Sequence, residues 1–285
     1  MILIDFSAIA IASVMMSDPK NLDERIVRHM ILDSLRMYRG KFAKEFGELV
    51  ICCDDREYWR KDVFPYYKFK RTSEREKTGL DWAVIYSIID TIKDELDKFF
   101  PYKVIQVKKA EADDIIGAIC NKYGCTGLVG PNHEKIMVVS GDKDFGQLLR
   151  YGNVSLHDSK KKKMVTISNP TKFLHEHIMR GDSSDSIPNF LSVDNSFVDK
   201  IRQISMMKAK LAEWIDMPLD AFCDDGMKQR YERNKNLIDL SMIPEELQEE
   251  IVTTYENAEV RDRSQLFNYF VKKKLSKLLG SIQEF

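Results

Sequence analysis

Four short apolar runs punctuate the first half of the chain: Ile2-Leu3-Ile4, Leu49-Val50-Ile51-Cys52-Cys53, Val104-Ile105-Gln106-Val107 and Ile136-Met137-Val138-Val139-Ser140. Each reads as a strand. Between them the apolar period lengthens to that of a helix. Ile26, Val27, Met30, Ile31 and Leu35 share one helix face, and Asn21 with Glu24 three residues later predicts a capping box at its start. Ile85, Ile88, Ile89, Ile92, Leu96 and Phe99 predict a long helix, capped by Asp81 and stopped before Pro101. A third helix opens at Glu111-Ala112-Asp113-Asp114 and runs through Ile115, Ile116 and Ile119. The glycines and proline of residues 124–134 predict a loop. A short helix over about Phe145–Leu149 follows, then a hairpin of Val154–His157 and Met164–Ile167.

From about residue 170 the strand signals stop. Lys172–Arg180, Val198–Met207, Lys208–Asp216, Pro244–Tyr255 and Ser264–Leu279 all read as helices, with Pro244 at a first helical position. Strands alternating with helices, followed by helices alone, predict an α/β domain with a mostly parallel central sheet over residues 1–178 and a helical domain over 179–285. Residues 56–80 break the pattern. Aromatic and basic residues interleave there without a clean period, which predicts a loop or a mobile helical segment.

A chain of 285 residues is long enough for a large core. The longest apolar run, Ala8 to Met16, is too short to span a bilayer and has no basic segment before it, so neither a membrane span nor a signal peptide is expected. Five cysteines, odd in number and without metal-type spacing, fit buried or free thiols in a reducing compartment. The net charge of −1 does not by itself point to a polyanion. Its distribution says more. Basic residues dominate Arg56 to Lys77, and Lys160–Lys163 and Lys272–Lys274 form two further clusters. Separate basic patches around an acidic pocket suit a nucleic-acid backbone. Lys160–Lys163 reads equally well as a solvated hairpin tip.

The acids carry the chemistry. Asp5, Asp54, Asp142 and Asp144 each follow a strand, and Glu111, Asp113 and Asp114 stand in the first turn of a helix, where the dipole favours negative charge. Gly181-Asp182-Ser183-Ser184-Asp185 adds two more. If the strands are parallel neighbours, their carboxyl ends meet at one edge and these acids share one crevice. Such a cluster repels itself and calls for cations, and all-oxygen ligation points to Mg2+ or Mn2+ rather than zinc. Two metals around one phosphate supply a hydroxide and stabilise the leaving oxygen. Any single acid here reads more readily as a helix cap or a chance strand-end Asp than as a ligand, and Asp55 is a ligand or a polar neighbour. Two rival functions remain open: a phosphatase using Asp142 and Asp144 as nucleophile and acid, and a nucleic-acid-binding protein without catalysis.

As a set, the strand-end Asp5, Cys53-Asp54, Glu111-Ala112-Asp113-Asp114, Ser140-Gly141-Asp142-Lys143-Asp144-Phe145 and Gly181-Asp182-x-x-Asp185 resemble the flap endonuclease superfamily of 5′ nucleases over essentially the full length, most closely its ribonuclease H branch of T-even bacteriophages. The resemblance implies a PIN-like 5′ nuclease core and two Mg2+ ions, with Asp5, Asp54, Glu111, Asp113 and Asp142 nearer the first and Asp144, Asp182 and Asp185 nearer the second; Asp114 completes the set of metal residues. Phe64-Pro65-Tyr66-Tyr67-Lys68-Phe69-Lys70-Arg71 resembles the base of the family's helical arch. Lys68 and Arg71 would grip the scissile phosphate, Tyr67 would stack an unpaired base, and Arg60, Lys61 and Lys70 would add contacts to nucleic acid.

The implied function is a 5′→3′ exonuclease and flap endonuclease that removes RNA primers and adjacent DNA during lagging-strand replication. Its substrates would be RNA–DNA hybrids and flap or nicked duplex DNA, and a single-strand-binding protein and a sliding clamp would be its partners. A monomer in a host cytoplasm is expected. Ser186–Asp194 departs from the family in lacking a glycine-rich hairpin. Gln265–Phe270 looks like a clamp-binding peptide but falls on an amphipathic helix, where packing is the stronger reading.

Overall fold

The computed structural model describes residues 1–127, 129–130 and 133–285. Six strands form one sheet: β1 (Ile2–Asp5), β2 (Leu49–Cys52), β3 (Lys103–Ile105), β4 (Ile136–Ser140), β5 (Val154–Asp158) and β6 (Lys163–Val165). Their order is β3-β2-β1-β4-β5-β6; the first five run parallel and β6 returns antiparallel to β5. The helices in chain order are α1 (Phe6–Met16), α2 (Glu24–Phe46), α3 (Arg60–Val63), α4 (Phe69–Thr78), α5 (Trp82–Phe99), α6 (Ala112–Tyr123), α7 (Pro170–Arg180), α8 (Lys208–Trp214), α9 (Asp225–Ile238), α10 (Glu245–Asn257), α11 (Leu266–Lys272) and α12 (Ser276–Leu279).

Alternation along the strands builds two cores. Ile2 and Ile4 point to one face, where α1, α2, α5 and the C-terminal residues Leu266, Tyr269, Phe270 and Phe285 cover them. Leu3 points to the other, against α6 and α10. With both faces buried, the strands are almost wholly apolar. The crossovers to β2 and β3 run over the first face and the return to β4 over the second, so the connections part between β1 and β4. A crevice opens at the carboxyl ends there. A third cluster joins α7, α8 and α9 to Phe64 and Tyr67 of the arch base.

The elements depart from expectation at several points. Asp23, not Asn21, caps α2 by accepting a hydrogen bond from the Arg25 amide at 2.8 Å. The third strand is shorter than its apolar run, because Gln106 turns its amide to the Asp54 carbonyl at 3.0 Å. The helix after β4 is a 3-10 turn over Asp144–Arg150. Residues 56–80 hold two helices, α3 and α4. Val198–Met207 is not helical. The Gln203 side chain accepts from the Asn189 amide at 2.8 Å, and the Ile204 backbone bonds to Asn189 and Ser192 side chains at 2.9 Å, so local side chains displace the helical ladder.

Ser264–Leu279 is broken by Lys274, at φ 55°, into α11 and α12. The polar stretch after Asp224 forms α9, a helix with no clear apolar period in its sequence. Part of the loop expected over 124–134 lies outside the described residues. Among the described residues, no helix is long and apolar enough to cross a membrane.

Candidate active site and metal centre

Strand ends deliver the first group of acids. Asp5 ends β1 and caps α1, accepting from the Ala8 amide at 3.0 Å and from Ser140 Oγ at 2.6 Å. The same hydroxyl accepts from the Asp142 amide at 3.0 Å, so one serine at the end of β4 ties two acids together. Asp54 follows β2 and accepts from the Ala112 amide at 2.7 Å, which fixes it to the start of α6. Asp113 stands in that first turn. Asp5, Asp54, Glu111, Asp113 and Asp142 line one cavity of about 1150 Å³, with Lys68, Arg71 and Lys160 on its walls. Burial, then the neighbouring Asp54, raises the Asp5 carboxyl to about 6. Burial, then Asp142 and Asp5, pushes Asp113 well above the usual carboxylate range. Acids crowded into one cavity in this way form a ready cation site.

Glu111 differs from its neighbours. Burial works against its charge, but Lys68 and Arg60 outweigh burial and hold its carboxyl below the ordinary value. Lys68 Nζ bonds one oxygen; Arg60 Nη1 at 3.0 Å and the Tyr67 hydroxyl at 2.8 Å bond the other. Asp114 lies behind it, fully buried, 2.8 Å from Arg60 Nη1 and accepting from the Glu111 amide at 2.9 Å. Arg60 also donates to the Leu237 carbonyl at 2.8 Å, so one buried guanidinium joins α3, α6 and α9.

The second group sits beyond the end of β4. Asp144 leads the 3-10 turn, and its carboxylate faces His177 of α7: Nε2 lies 2.8 Å from Asp144 Oδ1 and 3.7 Å from Asp182 Oδ2. Ligand atoms of Asp144, His177 and Asp182 all fall within 4.8 Å of one another and could hold a metal ion. Burial raises the Asp144 carboxyl. For Asp182 burial is outweighed by Ser184 and by Lys143, whose Nζ is 3.0 Å away, and its carboxyl is lowered. Asp185 pairs with Arg71 Nη2 at 2.6 Å. Gly181, at φ +65°, starts this loop; a Cβ there would meet the Ile187 and Pro188 carbonyl oxygens at 2.5 Å, so glycine alone fits.

The arch is fastened at its base to that loop. The Lys68 amide donates to the Asp185 carbonyl at 2.8 Å and the Lys70 amide to Ser186 Oγ at 3.1 Å. Lys68 itself takes a left-handed conformation, φ 57°, just before α4, which swings its side chain under the helix to Glu111.

The single crevice expected for nine acids is thus two neighbouring groups and one outlier. Asp5, Asp54, Glu111, Asp113 and Asp142 converge on one cavity; Asp144 and Asp182 meet at another point, with Asp185 on the same loop as Asp182 and paired to Arg71. Asp114 is sealed against Arg60 and cannot reach a cation in the cavity. Arg60, expected at the nucleic acid, is 3 % exposed and wholly engaged inside the protein. Tyr67 is likewise 3 % exposed, so its ring offers no stacking face; its hydroxyl braces Glu111 and Asp185 instead. Lys61 is exposed, and Lys70 Nζ lies 3.7 Å from the Phe197 ring centroid. Asp55 accepts from the Lys109 amide at 2.8 Å and braces the turn before α6. The acids are also less free of bases than their spacing suggested. Arg60, Lys68 and Arg71 come from a distant segment, Lys143 stands between Asp142 and Asp144, and His177 lies five residues before Asp182.

His177 escaped sequence reasoning because one histidine on an amphipathic helix carries no signal of its own. Its place four residues before Gly181-Asp182 was the available clue. The phosphatase arrangement is not formed: Asp144 turns its carboxylate to His177, and its amide donates to Asp142 Oδ1 at 2.9 Å.

The family described as 5′-3′ exonuclease, N-terminal resolvase-like domain, matches residues 2–177, and the T4 RNase H C-terminal family matches residues 171–285. The chain belongs to the 5′-3′ exonuclease family. Within that family it is 32 % identical to the ribonuclease H of Enterobacteria phage T4 over 99 % of this chain and 95 % of that protein. It is 25 % identical to a 5′-3′ exonuclease of Mycoplasmopsis pulmonis over 47 % of this chain and 43 % of that one. Among solved structures, a bacteriophage T5 5′-exonuclease with bound divalent metal ions (zinc) superposes with a TM-score of 0.60 at 15 % identity, covering 91 % of this chain and 99 % of that one. The superposition establishes a shared fold. The family's members are nucleases, and this chain has the mostly parallel sheet and C-terminal helices of the same 5′ nuclease fold.

Proposed function

We propose that the protein is a metal-dependent 5′→3′ exonuclease and flap endonuclease of the ribonuclease H type, removing RNA primers and adjoining DNA from 5′ ends during lagging-strand replication. The observation that carries this reading is the base-free group Asp5, Asp54, Asp113 and Asp142, which faces Lys68 and Arg71 across one cavity. Two divalent ions fit the donors, Mg2+ with Mn2+ as a substitute: one among these four acids, one on the side of Asp144, Asp182 and Asp185. Bound there, such ions supply a hydroxide at neutral pH and Lewis-acid stabilisation of the leaving oxygen. The buried atoms Asp144 Oδ1 and His177 Nε2, which lack hydrogen-bond partners of good geometry, accord with a group still to be bound.

The chain's own residues do the rest. Burial opposes the charge on Lys68, yet Glu111 outweighs it and the amine stays protonated above its usual range. Lys68 and Arg71 therefore present fixed positive charge to a phosphate entering the cavity. Exposed Lys61 and Lys160 to Lys163 would follow the nucleic-acid backbone. Residues 1–178 supply the first group of acids with Lys68 and Arg71, and 179–285 add Asp182 and Asp185 to the second. A monomer acting in a host cytoplasm with a single-strand-binding protein and a sliding clamp completes the proposal. Leu266, Tyr269 and Phe270 are buried, so clamp docking would use a surface other than 265–270.

A 5′-labelled flap duplex and an RNA–DNA hybrid, each incubated with Mg2+, Mn2+ or chelator, test the reading. Release of short 5′ products only with a divalent ion is expected. Binding without cleavage in every condition would overturn it.

A further inference from the structure

We propose that Asp144, His177 and Asp182 form a mixed nitrogen–oxygen site that selects a transition-series divalent ion, Mn2+ before Mg2+. The inference rests on the two-ion reading above and deepens it: the two positions differ in the metal they prefer. The first group offers carboxylate oxygens only, the donor set suited to Mg2+. The second adds an imidazole. Neutral imidazole is a good ligand for the first transition series, whereas Mg2+ keeps to oxygen and gives up water reluctantly.

The geometry accords with ligation. The three donors come from the 3-10 turn after β4, from α7 and from the loop after α7, and they lie within 4.8 Å of one another. The His177 side chain is 7 % exposed, and its Nε2 is aimed at both carboxylates, 2.8 Å from Asp144 and 3.7 Å from Asp182, without a hydrogen bond of acceptable geometry. A polar ring nitrogen buried so deeply without such a bond is costly unless something is bound there. Gly181 and the Asp182–Ile187 bridge hold Asp182 in a tight turn. The cation now beside Asp182 is Lys143. Its side chain is 60 % exposed, so it can leave the carboxylate to solvent when an ion arrives.

Pulsed electron paramagnetic resonance of the Mn2+-loaded protein reads the ligand directly. Wild type is expected to show 14N modulation from one coordinated imidazole, and His177→Gln to lose it. Calorimetric titration is expected to show His177→Gln binding Mn2+ at least about tenfold more weakly at one of two positions, with Mg2+ affinity unchanged. Absence of nitrogen coupling in wild type overturns the proposal without requiring any variant to fold. Equal Mn2+ affinity in His177→Gln overturns it as well. Asp182→Asn separates this failure from that of the underlying reading. If it loses one of two bound ions while His177→Gln does not discriminate, the two-ion reading stands and only the imidazole ligand falls. If it still binds as many ions as wild type, both fall.

Discussion

The two acidic groups are neighbours, yet they manage their charge in opposite ways. In the first, Asp5 and Asp113 are buried beside other acids and are pushed towards the neutral form. Their charge is left for something external. In the second, Asp182 lies against Lys143, Asp185 against Arg71, and Asp144 against His177. There Asp182 is balanced from within, while burial still raises Asp144. The fold therefore carries more electrostatic strain at the first position than at the second. An arriving cation relieves repulsion at the first and must displace an internal partner at the second.

Removing chemistry from the strained group should have the largest effect. Asp142→Asn is expected to lower flap cleavage by ~10³-fold or more, since a Lewis-acid site supplies several kcal/mol to the transition state. Flap affinity should stay close to wild type. Single-turnover rates against filter-binding constants check this, and near-normal turnover would remove Asp142 from the site.

Next comes the guanidinium that braces the first group from behind. Arg60→Met leaves Asp114 buried without its partner and should cost about 3–5 kcal/mol. Urea melts measure it; a loss under about 1 kcal/mol would mean that water reaches Asp114 and the pair is not sealed.

The strain itself has a pH signature. The folded Asp5 carboxyl binds its proton up to about 6, against 3.8 for the unreshaped group. The native state thus holds more protons than the unfolded state in that window, so this contribution to stability is complete below pH 3.8 and is lost as pH rises through 6. In chelator, Asp5→Asn should melt with wild type near pH 4 and above it past pH 6, by at most ~3 kcal/mol. Saturating Mg2+ should close the gap. A variant less stable than wild type at every pH would show that Asp5 acts mainly as the cap of α1.

The smallest effect belongs to the rim. Lys160 is exposed at the cavity edge, and Lys160→Ala should weaken flap binding a few-fold and reduce the salt slope of log Kd by about 1, with the cleavage step unchanged.

What the sequence makes legible follows the same division. The first group could be read because each acid ends an apolar run, and parallel pairing turns that local pattern into a spatial one. Asp5 lies opposite Cys52, two residues before Asp54. The bases could not be read in this way. Arg60 reaches Asp114 across 54 positions and Arg71 reaches Asp185 across 114. No periodicity encodes a side chain that crosses from one element to another. Tyr67 looked like a stacking surface since its neighbours are basic, and only the packing of the arch base against α7 and α9 buries it. Helix α9 was missed because its buried face, Tyr231, Asn234, Leu237 and Ile238, includes an asparagine whose amide serves the carbonyls of Ile178 and Pro188.

The residues from Leu266 to Phe285 lie on the same apolar face as Ile2 and Ile4, with Phe285 against both Phe100 and Phe270. In kinetic terms this closes the molecule's longest loop last. A ribosome releases the sheet's first strand more than 260 residues before the segment that completes its cover, so the nascent nuclease half carries a partly open apolar face beside α1, α2 and α5 through most of its synthesis. Folding then couples the catalytic half to distant sequence with which it shares no chemistry. A fragment ending at residue 177 would keep Asp5, Asp54, Asp113 and Asp142 but expose that face, binding a hydrophobic dye and aggregating where the full chain stays dispersed; dye binding no greater than that of the full chain would show the face to be sealed by α2 and α5 alone.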